Sequence, residues 1–365
     1  MLAVAVIFCL ALVCSARPKW NQLNDYSFAQ YAKDFSKEYA AGTDVWNVRK
    51  TIFEKNLNSI RQFNSKPATY RQGVNHMTDW TNSEFQALNG ARPREMGQFS
   101  KSSIRSEFVS TEVQVPKSVD YRLRLPSILT AVKDQGMCGS CWAHGATEQM
   151  ETFWALSTGE LNVLSQQQVT ACTQNPNQCG GTGGCGGATA ELAFEYVVGA
   201  GLTSEWKYPY TAWSGTTGTC LPNQGSIITV TGYTAVPIND QLAVMEALAS
   251  KGPLAVNVDA SSWSTYESGI FSGCDFSKNI TIDHVVQLVG YGTDLTSGLD
   301  YWIVRNSWTP SYGEDGYIRL LKTSTPSCGW DVNPQDGTGC NGGPPQLWTC
   351  GMCGILFDTT YPNMG

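Results

Sequence analysis

The chain is poor in charged side chains, and most of those it has are acidic. Only 15% of its 365 residues are charged, and the formal net charge is −7. Nucleic acids and anionic membrane surfaces attract basic proteins, so this balance argues against both as partners. The residues are nevertheless 42% hydrophobic, which is ample for a globular body with a large core.

Long apolar runs are also scarce. The stretch MLAVAVIFCLALV ends at Val13 and is followed by small residues up to Ala16. A transmembrane helix needs about 20 apolar residues, and no second run of that length follows, so we expect no membrane span. The first run is typical of a secretory signal peptide, residues 1–16. We therefore expect the protein in the secretory pathway, and finally in a lysosome, a vacuole or the extracellular space.

Cysteine is absent between Tyr26 and Asn89 but frequent after Val115. Two of the 13 cysteines lie in the expected signal peptide, which leaves 11. Exported proteins usually oxidise their cysteines in pairs, so an odd number leaves one unpaired thiol. Our candidate is Cys141, which lies between small residues and a tryptophan in DQGMCGSCWAHGATEQM, at the start of a predicted helix.

The patterning divides the chain into a helical segment and a larger body. Residues 26–89 have amphipathic helical periodicity, and residues 93–111 are polar and typical of a linker. In the body, the pattern predicts helices at 141–157, 189–198 and 240–250, and then short strands from Leu254 onward. Helices followed by strands predict an α+β protein with two lobes.

Histidine is scarce, which limits the choice of a catalytic base to His76, His144 or His284. A cysteine nucleophile needs an imidazole nearby, and a helix N-terminus helps to stabilise its thiolate. His76 lies in the separable helical segment. His284 begins the run HVVQLVGYG, and Asn306 on the next predicted strand could orient its ring. His144 has no such partner, and a position one turn after Cys141 is more typical of packing behind a site.

Three segments together resemble the papain-like cysteine peptidases, the cathepsin L group in particular. They are DQGMCGSCWAHG, DHVVQLVGYG and RNSW followed by YGEDGYIRL. The separation of Cys141 and His284 also fits this family. The resemblance implies a papain-like two-lobed α+β fold, with a helical lobe at about 122–225, an antiparallel β-barrel-like lobe at about 226–365 and a cleft between them. It also implies a monomer that needs no cofactor.

The resemblance implies a role for each residue of the active site. Cys141 is expected to be the nucleophile that forms a thioester, and His284 to act first as base and then as acid. Asn306 is expected to orient His284, and Trp308 to shield their hydrogen bond from water. Gln135 is expected to donate a hydrogen bond to the oxyanion.

Residues 17–114 resemble the inhibitory propeptide of the group, followed by a mature peptidase at 115–365. The residues that fit its two motifs are Arg49, Phe53, Asn56, Ile60, Asn64, Gly73, Asn75 and Asp79. Val45 and Met77 depart from the glutamate and phenylalanine of the family pattern. The resemblance implies a zymogen, inhibited by its own propeptide and activated at acidic pH by cleavage near residues 113–116. A permanent helical domain is the alternative.

For the cysteines, the resemblance implies three disulfides: Cys138–Cys185, Cys172–Cys220 and Cys274–Cys353. It leaves the pairing of Cys179, Cys328, Cys340 and Cys350 open. A zinc site built from Cys328, Cys340, Cys350 and Cys353 is an alternative, since two of these form a C-x-x-C pair. Oxidised pairs are the more usual state of exported cysteines.

Five positions match the family's substrate-binding positions: Gly187, Ala188, Asn257, Val285 and Asp358. Asp358 falls at the floor of the S2 pocket, which is usually small or apolar. We hypothesise that its carboxylate allows the pocket to accept arginine or lysine at P2 as well as hydrophobic residues. The alternative is that Asp358 turns outward into solvent.

The implied function is that of an endopeptidase acting on protein or peptide substrates. A catalytically weak protein that binds peptides in the same cleft is one alternative, and a cysteine-rich structural protein is another. A complete set of catalytic residues favours the enzyme, because a binding protein has no need of all four. Asn279-Ile280-Thr281 is a glycosylation sequon close before His284.

Overall fold

The computed structural model describes residues 17–89, 104–111, 114–222 and 224–365. The expected signal peptide and part of the expected cleavage region lie outside these ranges. The α-helices are α1 (Phe28–Asp34), α2 (Asp44–Asn64), α3 (Asn82–Leu88), α4 (Cys141–Thr158), α5 (Gln166–Cys172), α6 (Ala190–Ala200) and α7 (Gln241–Ser250). The strands are β1 (Tyr70–Gln72), β2 (Arg105–Glu107), β3 (Val119–Asp120), β4 (Val230–Ala235), β5 (Leu254–Val258), β6 (Tyr266–Phe271), β7 (His284–Thr293), β8 (Asp300–Arg305), β9 (Tyr317–Lys322), β10 (Cys328–Asp331), β11 (Leu347–Cys350) and β12 (Thr359–Met364). The α+β expectation is correct.

Helix α4 forms the centre of the molecule. Thirteen of its 18 residues are buried, so it is covered on nearly all sides rather than on one stripe. It ends at Gly159, whose φ of 79° is a left-handed conformation that glycine adopts without strain. Its first turn contains no acidic side chain. The positive end of the helix dipole is therefore left to act on Cys141.

The main sheet places two of the expected catalytic residues side by side. Its strand order is β1-β6-β9-β8-β7-β5-β12-β4-β2, with β3 paired to β7. The central strand β7 runs antiparallel to β8, with Gln287 opposite Arg305. His284 begins β7, and Asn306 directly follows β8. Antiparallel pairing therefore brings these two residues to the same edge of the sheet.

The N-terminal helical segment is docked on the body through strands at both ends of this sheet. Strand β1 pairs antiparallel with β6, and β2 pairs parallel with β4. Gly269 faces Tyr70 in the first pair, where its φ is 94° and an added Cβ would lie 2.6 Å from the carbonyl oxygen of Thr69. The close approach of the two chains therefore requires glycine at this position.

The structure contains the three disulfides that the resemblance implied, and it pairs the remaining cysteines as Cys179–Cys340 and Cys328–Cys350. The second of these new pairs closes the β10–β11 hairpin. All four sulfurs considered as zinc ligands are thus engaged in disulfides. Cys141 is the free thiol among the described cysteines. Within the same ranges, no helix has the length and apolar character needed to cross a membrane.

Candidate active site

His284 is held by Asn306 and covered by a tryptophan. Its Nε2 lies 2.8 Å from Oδ1 of Asn306, which also accepts the backbone N–H of Ser307. Since that oxygen can only accept, Nε2 must carry the proton, and the neutral ring has its lone pair on Nδ1. Nδ1 is buried and has no partner among the described residues. The Trp308 ring covers the imidazole at 4.8 Å between centroids.

Cys141 lies beside this histidine, at the N-terminus of α4. It packs in the same buried cluster as Val285, the residue after His284, whose backbone acts to lower the pKa of the thiol. Burial raises the pKa of the Cys141 thiol to about 12, and the nearby Asp283 carboxylate acts in the same direction. Burial also lowers the pKa of His284 to about 4, although Asn306 partly opposes this. Both groups are therefore uncharged while the N-terminal segment covers them.

The side-chain amide of Gln135 points toward the site beside Cys141. A carbonyl group of the N-terminal segment accepts its hydrogen bond. Nε2 of Gln135 donates to the carbonyl oxygen of Leu88 at 2.8 Å and to that of Cys138 at 2.9 Å. Its Oε1 accepts a hydrogen bond from Ser307, which fixes the orientation of the amide. A peptide carbonyl at the end of α3 thus lies on the amide donor beside the free thiol.

His144 is placed away from this arrangement. Its Nδ1 lies 3.0 Å from the carbonyl oxygen of Ser140, and its ring packs edge-on against Tyr210 at 4.9 Å. The side chain is only 1% exposed, and burial lowers its pKa to about 3. His284 is equally buried, but its Nδ1 is free within the described ranges, whereas Nδ1 of His144 is engaged by the carbonyl of its own helix turn. This contact is consistent with packing rather than with proton transfer.

The predicted substrate-binding residues fall into two groups. Ala188 and Val285 belong to the buried apolar cluster that contains Cys141, and the neighbouring Gly187 has a φ of 89°. Asn257 and Asp358 form the second group, in which the Asn257 Nδ2 donates to the Asp358 carboxylate at 3.0 Å. Asp358 is half-buried, so its side chain does not turn outward into bulk solvent.

A second carboxyl group, that of Glu191, contacts Asp358. Burial raises the pKa of Asp358 well above its usual range, and the charge of Glu191 and a hydrogen bond between the two carboxyls raise it further. The charge of Arg105, on β2 of the N-terminal segment, acts in the opposite direction. Sequence reasoning missed Glu191, because nothing in the pattern relates the start of α6 to residue 358.

Residues of its two motifs hold the fold of the N-terminal segment together. Arg49 makes a bidentate ion pair with Glu84, in which Nη1 lies 2.7 Å from Oε2 and Nη2 lies 2.6 Å from Oε1. The carboxylate of Asp79, which is fully buried, accepts hydrogen bonds from three partners: Tyr31, Lys37 and Tyr39. Exposed Val45, in place of the family's glutamate, takes no part in this network.

Two family models match the chain. One describes the papain family of cysteine proteases and matches residues 115–338, and the other describes the cathepsin propeptide inhibitor domain and matches residues 28–85. The chain belongs to the papain family of cysteine proteases. It is therefore a cysteine-type peptidase that carries a propeptide inhibitor domain of the cathepsin kind.

Similarity to members of the papain family extends over most of the chain. Human cathepsin L2 is 35% identical, over 89% of this chain and 96% of that protein. Germination-specific cysteine protease 1 of Arabidopsis thaliana is also 35% identical, over 86% of this chain and 77% of its own. The solved structure of digestive procathepsin L 3 from the larval midgut of Tenebrio molitor superposes with a TM-score of 0.72 at 30% identity, covering 92% of this chain and 97% of that one.

Proposed function

We propose that the protein is an endopeptidase that is made as a zymogen, with Cys141, His284, Asn306 and Gln135 as its catalytic residues. The observation that carries the proposal is the free thiol at the start of α4 beside a histidine whose Nε2 bonds Asn306. Such an arrangement activates a cysteine for attack on a peptide carbonyl. The domain limits 17–114 and 115–365 are part of the proposal, and the family match that begins at residue 115 supports them.

In the first step, the Nδ1 lone pair of His284 takes the thiol proton, and the thiolate sulfur attacks the carbonyl carbon of the substrate. The Gln135 amide and the Cys141 backbone N–H hold the oxyanion that forms. The imidazolium then gives its proton to the leaving nitrogen as the C–N bond breaks. The product is a thioester and a free amine.

In the second step, His284 takes a proton from water, and the resulting hydroxide attacks the thioester carbonyl. The C–S bond breaks, the carboxylic acid leaves, and the sulfur is protonated again. Throughout the cycle, Asn306 keeps the proton on Nε2, so that Nδ1 faces the sulfur. Trp308 covers the hydrogen bond between these two residues and excludes water that would weaken it.

The propeptide blocks the reaction by occupying the oxyanion donor. The Leu88 carbonyl already accepts the hydrogen bond that the substrate needs from Gln135. Phe85 packs edge-on against Trp308 at 5.4 Å, which covers the histidine side of the site. We propose that acidic pH weakens this docking and allows cleavage near residues 113–116. The same proposal places the monomeric enzyme in a lysosome, a vacuole or the extracellular space.

A cysteine-directed electrophile tests the proposed function. An epoxide or vinyl-sulfone probe is expected to label the processed protein at Cys141, and processed protein is expected to hydrolyse a dipeptidyl fluorogenic amide with leucine at P2. The Cys141→Ala variant serves as the blank for both measurements. Processed protein that binds peptides but neither reacts with the probe nor turns over the amide would support the alternative of a catalytically weak peptide-binding protein.

We further propose that Asp358 allows S2 to accept a basic P2 residue. Asp358 now contacts Asn257 and Glu191. An arginine or lysine side chain at P2 would instead donate a charge-assisted hydrogen bond to its carboxylate. The Asp358→Asn variant keeps the shape and removes the charge, so the ratio of kcat/KM for P2 arginine to that for P2 leucine should fall about tenfold. Since the pKa of Asp358 is raised, the wild-type ratio should also increase as pH rises and the carboxyl ionises.

The leucine substrate provides the control for this prediction, because its P2 side chain makes no ionic contact. The exposed Asp275→Asn variant is a matched loss of one negative charge elsewhere on the surface. It should leave the arginine-to-leucine ratio unchanged. An equal ratio in wild type and Asp358→Asn would show that Asp358 does not contact the P2 side chain.

A further inference from the structure

A cavity of about 450 Å³ lies between the propeptide and the mature peptidase. The propeptide contributes one wall of it, which includes Phe85 and Asn89. The other wall belongs to the peptidase and includes Asp259, Asp283 and Asp336, with serine, threonine and asparagine side chains between them. When the propeptide leaves, this second wall becomes an open groove next to the catalytic histidine.

The peptidase wall carries three carboxyl groups and no basic side chain. Asp259 and Asp283 are 7% and 6% exposed, and Asp336 is half-buried. None of the three forms an ion pair with any lysine, arginine or histidine that the structure describes. Burial raises the pKa of Asp283, and the neighbouring charges of Asp259 and Asp336 raise it further. A cation in the groove would relieve this repulsion.

The propeptide places a polar side chain in this cavity. Asn89 is 2% exposed, and its Nδ2 donates to the Asp283 carboxylate at 3.1 Å. Its Oδ1 is buried without a partner in the described part of the chain. The zymogen thus fills the position beside Asp283 with a neutral donor, and leaves a polar atom unsatisfied there. The peptidase already supplies donors to Oδ1 of Asp283 and to both oxygens of Asp259. A cationic substrate side chain would replace the Asn89 amide on Oδ2 of Asp283 and add the positive charge that the groove lacks.

The path of the propeptide shows at which end of the cleft the cavity lies. Phe85 and Asn89 line the cavity, the Leu88 carbonyl lies on Gln135, and Arg105 is close enough to act on Asp358. Described propeptide residues therefore lie at the cavity, at the oxyanion donor and near the proposed S2 pocket, and the oxyanion donor is next to the cavity. Since S2 binds the acyl side of the scissile bond, the cavity lies on the side of the leaving group.

We propose that the groove formed by Asp259, Asp283 and Asp336 binds a lysine or arginine side chain of the leaving peptide, at P1′ or P2′. This inference rests on the proposed function and adds a second specificity site to it. Asp336 is the most accessible of the three carboxyl groups, and it lies in the segment 326–351 that also forms the β10–β11 hairpin. This segment is closed by Cys328–Cys350 and tied to the other lobe by Cys179–Cys340.

Internally quenched peptides test the proposal. All have leucine at P2, and they carry lysine, arginine, glutamine or glutamate at P1′, P2′ or P3′ in turn. The processed wild-type enzyme is expected to cleave the peptides with lysine or arginine at P1′ or P2′ about tenfold faster in kcat/KM than the glutamine peptides. This advantage should shrink at high salt, because added ions screen the attraction.

Two substitutions at one position and one control complete the test. Asp336→Asn should bring the lysine-to-glutamine ratio down severalfold, and Asp336→Lys should make glutamate the preferred residue. Asp275→Asn removes an exposed carboxylate outside the groove and should preserve the wild-type ratio. Every rate is divided by the same variant's rate on a dipeptidyl fluorogenic amide, which has no peptide beyond the scissile bond and also reports correct folding.

The amide substrate separates the failure of this inference from the failure of the proposed function. Absence of turnover on the amide would refute the peptidase itself. Turnover of the amide together with equal rates for lysine, glutamine and glutamate at all three positions would overturn the basic leaving-side site alone. A lysine preference that persists unchanged in Asp336→Lys would also overturn it.

Discussion

Replacement of His284 by alanine is expected to lower kcat/KM by about 10³- to 10⁵-fold, because it removes both the base that forms the thiolate and the acid that protonates the leaving amine. Replacement of His144 by phenylalanine is expected to retain most of the activity. His144 contacts its own helix turn and Tyr210, and it makes no hydrogen bond with Asn306. The measurement is kcat/KM of processed enzyme on the fluorogenic leucine substrate.

The two variants control for each other, since each removes one buried imidazole near Cys141. Thermal unfolding of both proteins should be recorded beside the kinetics, so that a folding defect is not mistaken for lost catalysis. Nearly full activity in His284→Ala with a large loss in His144→Phe would reverse the assignment of the base. Large losses in both, with intact folding, would mean that His144 also positions Cys141.

The site could be predicted from the sequence where its chemistry is local and its residue types are rare. An odd number of exported cysteines pointed to Cys141, and three histidines left few choices for the base. Only tertiary structure shows that β7 and β8 bring His284 and Asn306 together. From the sequence, His284 was preferred to His144 because only His284 had a candidate orienting partner. The structure shows that partner as the hydrogen bond of 2.8 Å between His284 Nε2 and Asn306 Oδ1.

Helix α5 and the β10–β11 hairpin were not predicted, for two different reasons. The segment QQQVTAC has no apolar stripe, so helical periodicity is missing. Its helix is stabilised by contacts elsewhere, since Gln168 hydrogen-bonds the backbone of Thr203 and of Gly201. The hairpin is a short pair of strands closed by Cys328–Cys350, and the pairing of cysteines cannot be read from their number.

The acidic residues around the cleft were the least predictable part of the site. Glu191 meets Asp358 only because α6 lies beside the start of β12, and Asp336 meets Asp283 only because the 326–351 segment lies beside the start of β7. Asp283 directly precedes His284, so its position beside the catalytic base could have been inferred. The propeptide meets both acidic regions, with Asn89 at one and Arg105 at the other.

Protonation of His76 is expected to make the stability of the propeptide depend on pH. Its imidazole packs edge-on against Trp80 at 5.7 Å, and its Nδ1 is buried without a partner in the ranges described. Burial lowers the pKa of His76 to about 4, and the charges of Lys37 and Arg17 lower it further, while Asp79 opposes them. The folded propeptide therefore favours the neutral imidazole. The free energy of unfolding of the propeptide keeps its full value above pH 6.5 and falls by roughly 2–3 kcal/mol as pH drops toward 4, which loosens its hold on the peptidase.

The His76→Gln variant removes this proton-binding site, so we expect its half-maximal pH of processing to move about one unit lower. The measurement uses Cys141→Ala zymogen, with or without His76→Gln, as the substrate of a trace of processed wild-type enzyme at a series of pH values. The inactive zymogen cannot process itself, and both zymogens meet the same enzyme at each pH, so the difference between their profiles reports how readily the propeptide is released.

Glu84→Gln in the same inactive zymogen is the matched control. Hydrogen bonds from Arg49, above all, lower the pKa of Glu84 to about 2, so its contribution to the stability of the propeptide fold is present above pH 4.5 and is lost only as pH falls toward 2. This variant should speed processing throughout pH 4.5 to 6.5 without changing the shape of the profile, because the carboxylate does not titrate there. If the pH profile of processing is the same for Cys141→Ala zymogen with and without His76→Gln, groups other than His76 control activation by acid.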